Sequence, residues 1–254
     1  MVRSFYGLRR GLAAGSAAAA LLLHPVRAQQ APQPVRFIVR AWPDAAVFGA
    51  TTTAEVLRRV LDDRLPRVTC APCDPSRLWG IDRGAVGTLR AGPSNASNLL
   101  RGGATWGAGA LLALSRGRGE GAARLEDILV FAEALTVTDA ATTWTKVLFH
   151  RPRPERYAAG GPLPPDRDYS FPSGHTSQAF AAAAAYASIL HRRGIAGRHR
   201  AEIAALFATA AATGAMRVAA HKHFPTDVLG GAVLGTAVGW SIPALHRIVA
   251  PGAR

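Results

Sequence analysis

Pro172-Ser173-Gly174-His175-Thr176-Ser177-Gln178-Ala179-Phe180-Ala181-Ala182-Ala183-Ala184-Ala185-Tyr186-Ala187-Ser188-Ile189-Leu190 is the stretch whose reading decides the fold. It predicts a helix from Ser173 to Leu190, entered through a small Ser-Gly pair and carried mostly by alanine. Alanine loses no side-chain entropy in a helix, which makes it the strongest helix former. Similar segments extend outward on both sides: Leu99–Leu114, Leu125–Phe149, Ala201–Ala220 and Asp227–Ile248. Gly117-Arg118-Gly119, the proline-rich run Pro152 to Pro165, Arg193-Gly194 and Phe224-Pro225 separate them. Hydrophobic residues make up 49% of the chain but aromatics only 7%, which suits close-packed helices better than a β-sandwich. The expected fold is all-α, a helical bundle with a mixed N-terminal extension.

Upstream of the bundle the chain changes character. Arg3, Arg9 and Arg10 precede a short apolar run from Gly11 to Leu23, and Val26-Arg27-Ala28 has the small-residue spacing of a cleavage site. This is the pattern of a secretory signal peptide, and the apolar run is too short to span a bilayer comfortably. The expected organisation is a signal peptide over 1–28, an extension over 29–98 and a catalytic domain over 99–254. Within the extension, Val35 to Val39 predicts a short strand. Thr52-Thr53-Ala54-Glu55 reads as a capping box opening a helix to about Leu65. Cys70 and Cys73 sit in the loop from Pro66 to Pro75. Export makes a small disulfide the leading reading of that pair over a redox role, and no further Cys or Cys/His pair completes a zinc site.

The formal charge of +14 falls to +10 once Arg3, Arg9, Arg10 and Arg27 are set aside. Such a balance favours anionic partners: phosphorylated substrates or acidic lipid surfaces. No basic run interleaved with aromatics points to nucleic acid. Leu125–Phe149 carries Glu126, Asp127, Glu133 and Asp139, which suit lipid poorly. Val228–Leu245 is membrane-compatible and contains Gly231, Gly235 and Gly239 at the spacing of close helix contact. The expectation is an exported, periplasmic or extracytoplasmic protein, soluble or membrane-associated.

Between Lys146 and Asp227 the chemistry-bearing residues fall into three segments: Lys146-x6-Arg153-Pro154, Pro172-Ser173-Gly174-His175, and Arg217-x5-His223-x3-Asp227. Lys146, Arg153 and Arg217 can hold phosphate oxygens and stabilise charge without a metal, the arginines through a planar fork. Pro152 and Pro154 keep the backbone extended around Arg153. Ser173 and Gly174, at a helix start, would aim backbone N–H groups at an anion.

Together and in this order, the three segments resemble the type 2 phosphatidic acid phosphatase (PAP2) and vanadium haloperoxidase superfamily over residues 99 to 247. The resemblance implies a metal-independent phosphatase with no cofactor, acting on a lipid phosphate or a small phosphomonoester. It implies His223 as the nucleophile, passing through a phosphohistidine, with Asp227 holding its other ring nitrogen. His175, in the first turn of its helix, is then placed as the general acid. The family commonly has Ser before the third-segment Arg, where this chain has Met216, so an altered substrate preference is expected. His150, His221 and Lys222 are read as ordinary structural or surface residues. Two other readings remain: a haloperoxidase with vanadate as cofactor in the same pocket, and a non-catalytic anion-binding surface protein.

Overall fold

The computed structural model describes residues 35–65, 68–70, 72–115, 121–158 and 169–249. The expected signal peptide lies outside them. From Pro34 onward the chain forms one compact unit. In order, the elements are β1 (Arg36–Phe37), α1 (Ala41–Val60), α2 (Gly80–Arg83), α3 (Ala91–Leu114), α4 (Gly121–Phe149), α5 (Glu155–Ala158), α6 (Gly174–Arg192), α7 (Arg200–Ala219), α8 (Pro225–Leu245) and β2 (Ile248–Val249). The fold is all-α. Among the described residues the one sheet is the antiparallel pair β1–β2, which ties Arg36 to Val249 and Phe37 to Ile248.

The alanine-rich helix is the axis of the bundle. Every residue of α6 from Ala181 to Leu190 is buried, and α8, α7, α3 and α4 all pack on it. Its closest partner is α8, and the cause is the glycine stripe. A Cβ added at Gly231, Gly235 or Gly239 would stand 2.6, 2.1 or 2.4 Å from the carbonyl oxygens of Ser173, Ser177 and Ala181. Only a residue without a side chain lets the two backbones meet. The apolar core proper, with Leu112, Val130, Phe131, Tyr186, Ile189, Leu190 and Leu206, fills one end of the bundle.

Two helices begin earlier than the sequence pattern predicts. Helix α1 starts at Ala41, so Thr52-Thr53-Ala54-Glu55 lies mid-helix and caps nothing; Thr51 Oγ1 donates to the carbonyls of Val47 and Phe48. The true start is closed by Asp44, whose Oδ2 accepts the Arg40 N–H at 2.6 Å, with Pro43 tolerated in the first turn. Helix α3 likewise starts at Ala91 because Gly92 and Pro93 fall in a first turn, where proline forfeits no intrahelical bond. The acids of α4 do not face outward as a group. Asp127 is fully buried against Arg193 (3.1 Å), and Glu133 against His246 (2.9 Å). In the loop before α2, Cys70 and Cys73 form a disulfide.

Helices α7, extended back to Ala196, and α8 are long and apolar enough to cross a membrane. Leu229, Val233, Trp240 and Leu245 stand exposed on α8.

Candidate active site

The end of the bundle opposite the apolar core collects the C-termini of α4 and α7 and the N-termini of α3, α6 and α8. Helix ends of both kinds suit a phosphate pocket. N-termini present unpaired N–H groups and positive potential, while basic side chains in a last turn relieve the negative C-terminal end. Lys146 and Arg217 occupy those last turns of α4 and α7.

The residues of the three sequence segments are brought together here. Ser173, fully buried, precedes the first turn of α6, and its N–H donates to the Asp227 carbonyl at 2.9 Å, joining the starts of α6 and α8. Gly174 lies against α4: a Cβ there would sit 3.8 Å from Lys146 Cε. The Lys146 ammonium donates to the carbonyl of Tyr169 at 2.9 Å. Arg217 is buried in the same region, with Nη1 3.4 Å from Ser97 Oγ of α3. A hydroxyl thus reaches this guanidinium from a different helix than the one carrying Met216.

His223 is 1% exposed. Its Nδ1 is 3.5 Å from Asp227 Oδ2 and makes no hydrogen bond, so the expected orienting contact is longer than a hydrogen bond in this state. Asp227 is committed elsewhere: Oδ2 accepts from Ser170 Oγ (2.5 Å) and the Phe224 N–H (2.8 Å), and Oδ1 from Arg151 Nη1 (2.6 Å). Burial, followed by the charges of Lys146, Arg153, Arg217 and His175, pushes the His223 pKa well below its ordinary value. Burial among these cations thus favours the neutral ring. His175 is pushed down to about 3, first by burial and then by Arg217, Arg101, Lys222 and Arg153. Lys146 is also lowered well below the usual lysine range, by burial and then by Arg153. The like-charge part of each of these shifts would be relieved by an anion among the cations.

Several residues of the site gave no signal in the sequence. Asp82 of α2, fully buried, accepts from the Thr226 N–H (3.1 Å), Thr226 Oγ1 (2.7 Å) and Arg151 Nη2 (2.7 Å). Arg151 bridges Asp82 and Asp227, so the extension is wired to the start of α8. Asn98 Oδ1 lies 2.7 Å from His175 Nε2. Ordinary Asp and Asn residues in a segment outside the three motifs carry no spacing that could have marked them. His221 takes a positive φ of 57° and sets Nδ1 2.9 Å from the Ala85 carbonyl, with Gly87 packed so tightly that a Cβ would strike the ring. Its contacts are structural. Among the described residues, Cys70 and Cys73 lie in the loop before α2 and line neither the cavity beside Asp82 and Arg151 nor the one beside Lys146 and Arg153. Asp44, Glu133 and His246, a grouping with metal-ligand atoms, belong to the other end of the bundle, where α1 begins and α8 finishes.

Among solved structures, a transmembrane PAP2 type phosphatidylglycerolphosphate phosphatase from Bacillus subtilis aligns over 79% of this chain and 94% of its own, at 20% identity and a TM-score of 0.45. No curated protein matches the chain. Residues 127–249 match the model of the PAP2 superfamily, a span that contains all three sequence segments, α4 from Asp127 and every later helix. Over that span the chain is similar to the PAP2 superfamily.

Proposed function

We propose that this protein is a metal-independent phosphatase that hydrolyses phosphate esters through a phosphohistidine at His223. The observation that carries the reading is one buried, neutral imidazole set among Lys146, Arg153 and Arg217 at a junction of helix N-termini. With Nδ1 turned to Asp227, Nε2 is the attacking atom. It takes up the phosphoryl group, the bond from phosphorus to the leaving oxygen breaks, and that oxygen takes a proton from His175. Water then attacks phosphorus, gives a proton to the His175 that lost one in the first step, and breaks the bond from phosphorus to His223, releasing phosphate and restoring the free enzyme. The three cations neutralise charge on the equatorial oxygens throughout, so positioning and electrostatics supply most of the acceleration. Closing the 3.5 Å gap between His223 and Asp227 would orient the ring and stabilise positive charge as the phosphohistidine forms.

The substrate class is a lipid phosphate or a small phosphomonoester, presented on the outer side of the cytoplasmic membrane. A cavity of about 600 Å³ beside Asp82, Arg151 and Thr226, walled by Trp79, Phe149, Phe171 and Leu229, suits an apolar leaving group. The outward apolar face of α8 supports membrane association.

A decisive experiment is hydrolysis of p-nitrophenyl phosphate and of a dispersed phosphatidic acid in excess chelator. Turnover should persist, vanadate should inhibit it, and rapid acid-free quenching should trap phosphate on wild-type protein but not on His223→Ala. Activity that vanishes with chelator, or halide oxidation dependent on vanadate and peroxide, would overturn the reading.

A further inference from the structure

We propose that Arg58 and Arg59 of α1 form a second anion subsite beside the phosphate pocket, selecting substrates that carry a second phosphoryl group. The inference rests on reading Lys146 and Arg153 as phosphate ligands. It concerns a helix that lies wholly outside the span matched to the family.

Helix α1 packs along α4 and brings its last turns to the site end. There a cavity of about 250 Å³ is lined by Glu55, Arg58 and Arg59 on one wall and by Lys146, Arg153 and Tyr169 on the other. Four cations and one carboxylate therefore face a single space. Lys146 and Arg153 belong equally to the phosphate pocket, so an anion held by them and an anion held by Arg58 and Arg59 would be neighbours. Arg58 is positioned before any ligand arrives. Its Nη2 is 3.0 Å from Asp62 Oδ1, and its guanidinium lies over the Tyr169 ring at 5.3 Å. The carbonyl of that same Tyr169 holds the Lys146 ammonium, so one residue sets both cations. Crowding of like charge supports the idea: Arg58 is among the groups that lower the Lys146 pKa. A second anion in the cleft removes that repulsion.

Glu55 opposes the four cations. Its Oε1 is buried and has no hydrogen-bond partner, so it repels an anion without offering compensation. This gives the subsite a signature that a merely structural α1 would lack. Arg58 and Arg59 favour the second phosphoryl group and Glu55 disfavours it, so neutralising them should move selectivity in opposite directions.

The test is calorimetric binding of three probes to the full chain: inorganic phosphate, methylenediphosphonate, and a bisphosphate with a three-carbon spacer. Wild-type protein should bind at least one two-phosphoryl probe about tenfold or more tightly than phosphate, the scale of one or two charge-assisted hydrogen bonds. Preference for the diphosphonate would indicate a terminal diphosphate, preference for the spaced probe a remote phosphate. Arg58→Gln/Arg59→Gln should cut the preference about tenfold, and Glu55→Gln should raise it. Equal affinity for all probes in wild type, or a ratio unmoved by the arginine substitutions, overturns the subsite. Binding needs no turnover. A protein that prefers two phosphoryl groups yet hydrolyses no ester would sink the phosphatase reading and leave the subsite standing, while ester hydrolysis with an unmoved ratio would do the reverse.

Discussion

Burial and neighbouring cations favour the neutral form of both His223 and His175, yet the proposed reaction asks them for different things. For the proposed nucleophile the depressed pKa is an advantage, and His223→Ala should lower kcat by about 10⁴-fold or more with the circular dichroism spectrum unchanged. The general acid needs a proton it does not hold at pH 6, since its pKa is pushed down to about 3 by burial and by Arg217, Arg101, Lys222 and Arg153. A bound phosphate dianion counters those four cations and so raises the pKa. Sulfate, a dianion that carries no proton in this range, should therefore bind with proton uptake between pH 5 and 6.5, seen by calorimetry in buffers of differing ionisation enthalpy. No uptake would argue that His175 does not become the acid. On esters with poor leaving groups His175→Ala should cost about 10²–10⁴-fold, and clearly less on p-nitrophenyl phosphate. Asp82 acts at one remove, through Arg151 on Asp227. Asp82→Ala leaves Arg151 with one carboxylate fewer and strands the Thr226 N–H, so about 2 kcal/mol of stability should be lost in denaturant unfolding, with kcat falling alongside. Asp82→Asn should recover part of both.

At the scale of elements, the site depends on how closely α8 approaches α6. Gly235 faces the Ser177 carbonyl, and a methyl group there would meet that oxygen at 2.1 Å. The neighbour is backbone and cannot swing aside. Gly235→Ala should force the helices apart, cost about 2–3 kcal/mol as overpacking does, and displace Asp227 from Ser173. Thermal unfolding and kcat should fall together; a variant of normal stability and activity would mean the pair is looser than described. That α8 has a face for close helix contact was legible as glycine spacing, because a repeat of four residues is a property of one helix; that α6 is the partner came from the structure. The start of α1 was not. Thr52-Thr53-Ala54-Glu55 has the right composition for a cap, but packing on α4 extends the helix through it to Ala41, and tertiary packing outweighs a local signal of about 1 kcal/mol.

For the molecule as a whole, the buried His223 and the half-buried His175, both with lowered pKa, make acid a denaturant. Their unfolded pKa is about 6.5 and their folded values lie lower, so the unfolded chain binds more protons below pH 6.5. Stability is full above that pH and falls as pH drops toward about 3 for His175, by at most about 1.4 kcal/mol per pH unit for each group, less for the partly exposed His175. Urea unfolding between pH 6.5 and 5, ahead of carboxylate titration, should show that slope. His175→Gln should make it shallower, and added phosphate should flatten it. The exposed apolar side chains of α8 lead to a separate expectation: in cell fractionation the protein should sediment with membranes and leave them with detergent.

The amino-acid sequence by itself determined the helical bundle and singled out the three cations, the two histidines and Asp227 as candidates, because helix periodicity and motif spacing are written along one strand of chain. Only the tertiary structure decided that Asp82 anchors Arg151, that Asn98 meets His175, that Ser97 reaches Arg217 and that α1 lays two arginines beside Lys146. Those pairs are 69, 77, 120 and roughly 90 residues apart. A contact between such distant residues depends on where packing carries two helices, and no local pattern of side chains encodes it.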